Sequence, residues 1–454
     1  MTAQATARRI RRGGAAVLGT VLPAVMLAAT LMGSPASAAP YPGDPAPVLD
    51  AAEDGADYLV SQLADGNHLI TSYTYEGVEY SYADQGLTAD AVFALLAQGD
   101  HPAQVTAMTT WLATQVNAYA DPNPTIPPGG NPAYFGPYSG ALAKLALVAS
   151  STGGNPHSFG GFDLLGIITS RVCTGPDAAG TCTAAGDFYQ AFSSISQSLG
   201  ILALQASPVA SDHLTVDGAP VVRLRQLQCD DGGFTSALIA EGEACVSSPD
   251  ATGFAIQALA AVPGTDLWLG EAQTYLAGAA SDSGVFAANP DSTAQAAIAL
   301  QTLSESLDAP TAPSIHTPMP APTDTWAAAI AGLLGYELSG VFGLPDATVS
   351  NRVRSTAQAV LAASFGTLVG LAGAPLQSAP RTPAVIQPTT EPPATEPATT
   401  SPTTALPAPT TTPALAATGA DRATSLSIWG AALVLAGALA LAVGRPTAQP
   451  RRRH

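Results

Sequence analysis

Four aspartates could act as acids in this sequence: Asp84, Asp187, Asp250 and Asp291. Asp250 and Asp291 each stand at the start of an apolar segment, where a carboxylate can accept the free backbone N–H groups of a first helical turn. This capping role is the interpretation that the sequence favours. The alternative is that two or more of these acids converge without partners on a deep apolar pocket, where perturbed pKa values suit proton transfer. No residue is therefore assigned as catalytic.

Aromatic residues in the loops that lead into the same apolar segments form a second candidate set. These are Tyr73, Tyr75, Tyr80, Tyr82, Tyr134, Phe135, Tyr138, Phe188 and Tyr189. Aromatic rings at a concave opening suit the capture of a glycan, a peptide or a flat cofactor, although the same rings can simply pack against neighbouring loops. The predicted ligand site consists of Tyr82, Asp84, Tyr134, Phe135, Tyr138, Tyr189, Asp250 and Asp291.

The four cysteines form two local pairs, Cys173 with Cys182 and Cys229 with Cys245. An even number of cysteines in an exported chain favours disulfide bonds. Zinc is the alternative, but neither pair has the Cys-x-x-Cys spacing and no histidine is close to either. The sequence therefore predicts two disulfides and no metal site.

A repeated helix-turn-helix unit must position these residues. In its clearest copy an apolar segment ends in Gln-x-x-Asp-Gly-Gly-Phe at Phe234, and a second apolar segment opens on Asp-x-Thr at Asp250. Related copies contain Asp84-Gln85-Gly86 and Asp282-Ser283-Gly284. A unit that recurs at such intervals predicts a repeat architecture.

Six helix pairs are predicted between Asp50 and Gly373. The first helices are 48–63, 103–118, 162–172, 220–228, 267–280 and 325–338, and the second helices are 87–98, 139–150, 191–206, 252–261, 293–307 and 355–371. The second helices are apolar almost all round, so they must be buried on every side, whereas the first are amphipathic. Polar capping units, which an open solenoid needs at its ends, are absent from the sequence. The predicted fold is all-α, an α6/α6 toroid with an inner and an outer ring.

The turn motif, the Asp-x-Thr helix start and the six pairs resemble the terpenoid cyclase and protein prenyltransferase superfamily. The resemblance covers roughly residues 50–373 and implies an α/α toroid. Related toroids include cobalamin carriers and thioester-containing complement domains, so the fold alone does not decide the function.

The motifs that the enzymes of this superfamily need are missing. The sequence has no Asp-x-Asp-Asp proton donor, no spaced Asp, Cys and His set for zinc, and no Gly-Cys-Gly-Glu-Gln thioester run. The adjacent carboxylates Asp230 and Asp231 belong to the turn and are best explained by its solvated geometry. The resemblance therefore implies the fold more strongly than any activity of the family.

Composition limits the partners of the chain. Its 454 residues are 47% hydrophobic and only 11% charged, with a formal net charge of −18. A strongly acidic chain repels nucleic acid and anionic lipid surfaces. We therefore expect no nucleic-acid partner.

Residues 1–38 are predicted to be a signal peptide, followed by a linker over 39–49. Arginines at 8, 9, 11 and 12 precede an apolar core, and Ala36-Ser37-Ala38 provides small residues for cleavage between Ala38 and Ala39. The general secretory route is favoured over the twin-arginine route, and a membrane anchor is the alternative.

The C-terminal region predicts attachment to a surface. Residues 374–414 form a Pro- and Thr-rich stalk that cannot build a core. Residues 415–454 then resemble a Gram-positive cell-wall sorting signal. Its motif is Leu415-Ala416-Ala417-Thr418-Gly419, a transmembrane helix is predicted over 427–443, and arginines follow at 451–453. The resemblance implies that a sortase cleaves after Thr418 and joins the chain to peptidoglycan. A permanent transmembrane helix is the alternative.

These features together predict an exported protein anchored to the wall of a Gram-positive cell, whose toroid acts as a ligand-binding or adhesion module. The ligand is a small molecule, a glycan or a peptide, and no cofactor is predicted. The alternative is an exported enzyme of the same superfamily that uses an unrecognised acid.

Overall fold

The computed structural model describes residues 41–121, 138–178, 180–207, 214–240, 242–306 and 322–373. The predicted signal peptide, stalk and sorting signal lie outside these ranges, and so do Tyr134 and Phe135 of the predicted ligand site. Within the described ranges, no helix combines the length and the apolar character needed to cross a bilayer.

Most of the described residues are helical. In chain order the helices are α1 (Ala46–Ser61), α2 (Gln85–Gln98), α3 (Pro102–Thr114), α4 (Val116–Ala120), α5 (Ser139–Ser151), α6 (Leu164–Thr169), α7 (Ser194–Gln205), α8 (Ala219–Gln226), α9 (Pro249–Ala260), α10 (Asp266–Ala279), α11 (Pro290–Ser306), α12 (Pro322–Leu334), α13 (Val349–Ala363) and α14 (Leu368–Leu371). A helix therefore lies at each of the twelve predicted positions.

Six helices form a closed inner ring. Helix α2 packs against α5, α5 against α7, α7 against α9, α9 against α11, α11 against α13, and α13 packs back against α2. The helices α1, α3, α6, α8, α10 and α12 pack against the inner helices that adjoin them in sequence, and α1 also packs against α13. The prediction of a closed α/α toroid is thus confirmed.

The two rings differ in burial as the apolar pattern predicts. In the inner helix α11, the residues from Ser292 to Leu303 are all buried. The outer helix α10 buries only the stripe Leu269, Ala272, Gln273 and Leu276, the i, i+3, i+4, i+7 positions of one helical face. Burial on every side is possible for α11 because neighbouring helices surround it.

The repeated Thr has a defined structural role. The Thr252 hydroxyl accepts a hydrogen bond from the backbone N–H of Phe234 at 2.9 Å. The corresponding distances are 3.1 Å for Thr293 and Phe286, 3.0 Å for Thr356 and Phe342, and 3.0 Å for Thr88 and Leu69. Because the three Phe side chains are fully buried, each bond satisfies an N–H that the core would otherwise leave without a partner. The motif therefore joins each turn to the helix that follows it.

The glycine of the repeated turn lets one repeat approach the next. Gly284 has φ +75°, and a Cβ there would overlap the backbone oxygen of Ala328 in α12. Gly340 has φ +80° and faces Asp54 of α1 in the same way, with 2.7 Å between a built Cβ and the Asp54 oxygen. Glycine supplies both the positive φ and the missing side chain. The Gly340 contact joins the last repeat to the first.

The all-α prediction was incomplete, because in the described part of the chain three short hairpins lie between outer and inner helices. Strand β1 (Ile70–Tyr75) pairs antiparallel with β2 (Val78–Ala83), β3 (Phe234–Thr235) with β4 (Ser247–Ser248), and β5 (Glu337–Leu338) with β6 (Val341–Phe342). Glu76 and Gly77, at the tip of β1–β2, both have positive φ, as a two-residue hairpin turn needs. The segment interpreted as a Tyr-rich loop is thus a hairpin.

The last predicted helix, 355–371, is also interrupted. Helix α13 ends at Ala363, Phe365 adopts φ +54°, and α14 starts anew with Thr367 as its N-cap. Helix α14 contacts α2, α5 and α9, and the Leu368 N–H donates to Gln257 Oε1 at 3.0 Å. The chain therefore turns across the ring at this end.

Both predicted disulfides are present, Cys173–Cys182 and Cys229–Cys245. Each closes a surface connection of the outer layer. The pairing fits an oxidising, extracellular environment.

Candidate functional site

The inner helices all begin at one end of the ring. Contacts near the helix starts show this. The Asp84 cap of α2 meets Arg354 of α13, and Asp90 of α2 meets Lys144 of α5. Gly140 of α5 lies against Ser196 of α7, and Asp250 of α9 meets Ser292 of α11. We call this end the mouth. Six charged side chains gather there, and we call them the mouth cluster: Asp84, Asp90, Lys144, Asp250, Asp291 and Arg354.

Two carboxylates of the mouth cluster are paired with cations. Asp90 Oδ1 lies 2.7 Å from Lys144 Nζ, and Asp84 Oδ2 lies 3.3 Å from Arg354 Nη2. Asp84 also caps α2 by accepting from the Leu87 N–H at 2.8 Å. Burial by itself lowers the pKa of Lys144, but the charges of Asp90 and Tyr119 and the hydrogen bond to Asp90 together outweigh it, so the net pKa is raised. Both cations therefore stay charged and are held in place.

Asp291 is not balanced in this way. Burial raises its pKa to about 6, assisted by the like charge of Asp250 and opposed by a hydrogen bond from Ser355. Its Oδ1 atom is buried and has no hydrogen-bond partner among the described residues. The carboxyl therefore changes protonation near neutral pH, as groups at functional sites often do.

Asp250 lies beside Asp291 with a similar environment. Burial raises its pKa, and the Ser292 hydroxyl, which donates to Oδ2 at 2.7 Å, partly opposes the shift. Both aspartates keep some exposure to solvent. Among the described residues, these two partly accessible carboxylates form no ion pair, although the charge of Arg354 acts on Asp291.

The capping role expected for Asp250 and Asp291 is wrong in detail. The side chain that caps α9 is Ser248, which accepts from the Ala251 N–H, and Asn289 Oδ1 accepts from the Asp291 N–H at 2.8 Å. Asp250 and Asp291 instead occupy the first helical turns. Their carboxylates are free to point into the mouth because other residues serve as caps.

The cavity on the axis of the ring is small. Asp90, Lys144, Phe254, Gln295 and Gln358 line it together with residues nearer the far end, and its volume is about 20 Å³. Such a space holds about one water molecule. Leu368 of α14 also lines the cavity. We call this space the basin: charged and amide groups line one part of it and apolar side chains such as Phe93 and Leu361 line the rest. It is much smaller than the deep apolar pocket that the alternative interpretation expected.

An aromatic surface adjoins this basin. In the β1–β2 register, Tyr73 is opposite Tyr80, and Thr71 is opposite Tyr82, so Tyr73, Tyr75, Tyr80 and Tyr82 share one face. We call this the tyrosine face. The Tyr73 and Tyr80 rings stack with 5.4 Å between centroids, and Tyr82 lies edge-on to Tyr73 at 6.3 Å. Tyr73, Tyr75 and Tyr80 remain 37%, 46% and 44% exposed.

The hairpin is fixed to the mouth at its base. The Thr71 hydroxyl donates to Asp84 Oδ2 at 2.7 Å, and the Ser72 N–H donates to Ser350 Oγ of α13 at 2.9 Å. Burial and the nearby Asp84 raise the pKa of Tyr82. The tyrosine face is therefore continuous with the Asp84–Arg354 pair.

Tyr138 and Tyr189, the other described residues proposed for the site, lie beside the start of α5, and each ring packs against a neighbour of its own. Tyr138 packs against Phe192 with 5.6 Å between ring centroids. Tyr189 lies under the guanidinium of Arg171 at 5.1 Å and lines a separate groove of about 490 Å³ beside Cys173–Cys182. Each ring has a structural neighbour, as the packing alternative predicts.

Two further expectations are corrected. Phe188 is fully buried and packs on Gly200 in the core, so it lines no opening. Asp187 is also buried, with Oδ1 2.7 Å from Arg223 Nε and Oδ2 accepting from the Thr183 N–H at 2.7 Å. An aspartate so fully paired holds the Cys173–Cys182 loop in place.

Asp90, Lys144 and Arg354 were missed from the sequence. Asp90 and Lys144 are the single charged residues of α2 and α5, and Arg354 follows Arg352 in the otherwise uncharged α13, so a charge within an apolar helix could have identified them. Charged residues are rarely buried unless they are paired. Their partners are 54 and 270 residues away in the chain, so the pairs themselves become visible only in the folded ring.

The closed double ring and its polar mouth define an α/α toroid with a candidate ligand site where the inner helices begin. No protein-family model matches the sequence, and neither does any curated protein. Solved structures with similar folds include a protein from Actinoplanes, 15% identical, covering 70% of this chain and 99% of that one, with TM-score 0.47.

Two enzymes are also among the similar structures. The type II terpene cyclase MstE from Scytonema is 13% identical, with 71% of this chain and 98% of that chain covered and TM-score 0.49. A variant of the unsaturated glucuronyl hydrolase from Streptococcus agalactiae is 8% identical, with 71% and 90% covered and TM-score 0.41. At these identities and scores the likenesses carry no argument about what this chain does.

Proposed function

We propose that this protein is an exported α/α toroid, anchored to the cell wall, that binds a glycan at its mouth. The observation that carries the proposal is the exposed tyrosine face beside the Asp84–Arg354 pair. Sugar rings present C–H faces that pack on aromatic rings, and hydroxyl groups that bond to carboxylates and guanidinium groups. The tyrosine face and the mouth cluster offer both kinds of contact on one surface.

The shape of the mouth favours this class of ligand over an isoprenoid. Pockets that enclose a small ligand measure about 300–1,000 Å³ and are mostly apolar. The axial cavity of about 20 Å³ is far smaller and has charged residues in its wall. A ligand that lies across the mouth, such as the end of a glycan chain, suits this basin better than a ligand that must be fully enclosed.

Export and anchoring rest on the signal peptide, stalk and Leu415–Gly419 motif that the sequence predicts. The two disulfides support export, because such bonds persist in oxidising compartments. A stalk that extends the toroid from the wall places the tyrosine face where an extracellular glycan can reach it.

Binding of the purified full-length protein to a panel of soluble oligosaccharides tests the proposal. We expect Tyr75→Ser and Tyr80→Ser each to weaken binding about 3- to 10-fold, since an aromatic contact contributes roughly 1 kcal/mol. Leu267→Ser is the matched control: Leu267 is 78% exposed but lies at the start of α10, at the opposite end of the ring. Unchanged affinity in both Tyr variants, or no binding to any glycan, would refute the proposal.

A second candidate function is an exported enzyme. It is favoured by Asp291, whose pKa of about 6 and unpartnered Oδ1 suit a general acid or base next to Asp250. Release of smaller products from a bound glycan, abolished in Asp291→Asn, would support this candidate. Binding without turnover would favour the non-catalytic module.

A further inference from the structure

The charges of the mouth cluster do not balance. Its four carboxylates face two cations, and each cation is paired with one carboxylate, Lys144 with Asp90 and Arg354 with Asp84. Asp250 accepts from the Ser292 hydroxyl and from its own backbone N–H, Asp291 accepts from the Ser355 hydroxyl, and neither forms an ion pair among the described residues. Two neighbouring carboxylates thus remain without a counterion in the described structure. Charges in such surroundings are costly unless a cation joins them.

Buried hydrogen-bond acceptors without donors lie close to this pair of carboxylates. Besides Asp291 Oδ1, the Gln295 Oε1 atom is buried and has no partner among the described residues. Gln295 is one helical turn below Asp291 on the same face of α11, is 4% exposed, and lines the axial cavity. Its amide nitrogen already donates to Gln358 Oε1 at 3.3 Å. Two buried acceptor atoms, Asp291 Oδ1 and Gln295 Oε1, are therefore unsatisfied about one helical turn apart among the described residues.

We propose that Asp250 and Asp291 hold an ammonium group of the ligand, so that the glycan bound at the mouth is one with free amino groups. The proposal rests on the proposed function and specifies its ligand. An ammonium carries one positive charge and three N–H donors and accepts nothing. It therefore complements two carboxylates and an amide oxygen.

A metal ion fits the same atoms less well. Among the described residues, no group of three His, Cys, Asp or Glu side chains is arranged to hold a metal. Calcium takes six to eight oxygen ligands, and the basin supplies two carboxylates. An ammonium group needs fewer partners and can keep the remainder of its ligand in solvent.

Arg354 connects the acid pair to the tyrosine face. Its Nη2 atom contacts Asp84 at 3.3 Å, next to Tyr82. Burial alone would lower the pKa of Arg354, but Asp84, Asp90 and Asp291 together raise it, so Arg354 lies within electrostatic range of Asp291. A sugar stacked on the tyrosine face has the acid pair as its neighbour across Arg354.

The expected pH dependence follows from the groups around Asp291. These are Asp250, Asp90, Arg354 and Ser355, with Tyr275 next to Asp250. Burial and the carboxylates of Asp231 and Asp250 raise the pKa of Tyr275 to about 12, so it keeps its proton, and Arg354 keeps its charge. Asp291 ionises above pH about 6. Affinity for an ammonium should therefore rise as the pH increases through 6.

The test compares three oligosaccharides of equal length, made of glucosamine, N-acetylglucosamine or glucose, by calorimetry on the purified full-length protein. We expect the glucosamine oligomer to bind at least tenfold more tightly than the other two at pH 7, with this preference shrinking at pH 5. The double variant Asp250→Asn with Asp291→Asn should lose the preference, so that the glucosamine oligomer binds no more tightly than the N-acetylated one. Asp282→Asn, an exposed acid in the turn before α11 that is not part of the mouth cluster, is the matched control and should behave as wild type.

The contrary results are distinct. Equal affinity for the amino and acetylated oligomers overturns this inference and leaves glycan binding intact, whereas no binding to any oligomer overturns the proposed function itself. Tighter binding of tri-lysine than of the glucosamine oligomer assigns the acid pair to a peptide. Calcium binding that the double variant abolishes assigns it to a metal. Either of the last two results also overturns the inference.

Discussion

At the scale of single residues, Asp291 combines burial with an unfilled acceptor. Its pKa is about 6 in the folded protein, against the ordinary value of 3.8 for an aspartate. Between these values the folded state binds the proton more strongly than the unfolded state does. The contribution of Asp291 to stability is therefore favourable below pH 4 and is lost as the pH rises to 6 and above.

Asp291→Asn should accordingly change the free energy of unfolding more favourably at pH 7 than at pH 4, each time relative to the unsubstituted protein. A shift of about two pKa units corresponds to roughly 3 kcal/mol in the free energy of unfolding. Urea unfolding of both proteins at pH 4 and pH 7 measures this difference. Asp282→Asn controls for the loss of an acidic charge. An equal effect of Asp291→Asn at both pH values would show that Asp291 has an ordinary pKa.

The same scale shows where sequence interpretation stops. Asp84 and Asp250 could be named from their positions before apolar segments, since helix starts favour such residues. Their roles could not be predicted. Asp84 pairs with Arg354 from the last inner helix, and Asp250 accepts a hydrogen bond from Ser292 of the next inner helix. A carboxylate's partners depend on which helices become neighbours. Local sequence does not contain that information.

At the scale of elements, the repeated turn depends on glycines that face the backbone of the next outer helix. Gly284→Ala would force a Cβ into the Ala328 carbonyl and strain a residue at φ +75°. We expect a loss of about 2 kcal/mol or more in the free energy of unfolding.

Gly278 provides the matched control for this substitution. It lies in α10, only a few residues away, and a Cβ there meets no atom within 4 Å. Gly278→Ala should stabilise the protein by about 0.5–1 kcal/mol, because alanine favours a helix. Thermal unfolding of the two variants measures the contrast. If both variants destabilise the protein equally, or if neither changes its stability, the proposed role of the turn is wrong.

Burial explains why the inner and outer helices could be predicted from the sequence while the hairpins were missed. Helices apolar all round permit only a buried position, so their pattern is decisive. The segment from Ile70 to Ala83 alternates with period two around Glu76-Gly77, a hairpin signal, but most of its residues are exposed. Its tyrosines favoured a binding loop, and an exposed hairpin lacks the buried face that makes a two-residue alternation decisive.

At the scale of the whole molecule, closure removes the ends of the repeat array. In an open solenoid each terminal repeat has a single neighbour and unfolds more readily. Here α13 packs on both α2 and α1, and Gly340 meets Asp54. The first and last repeats are therefore held from both sides like the others.

Amide hydrogen exchange of the full-length protein distinguishes a closed ring from an open array with free terminal repeats. In a closed ring, the buried amides of α2 and α13 should exchange as slowly as those of α9 and α11, through one global opening. Gly340→Val should weaken protection first in α1, α2 and α13, since a side chain at that position separates the last repeat from the first. Gly278→Val, in an open position of α10, controls for the substitution itself. Faster exchange of α2 and α13 in the unsubstituted protein would show that its ring opens at this junction, and the mouth, which draws Asp84 and Arg354 from these two helices, would open with it.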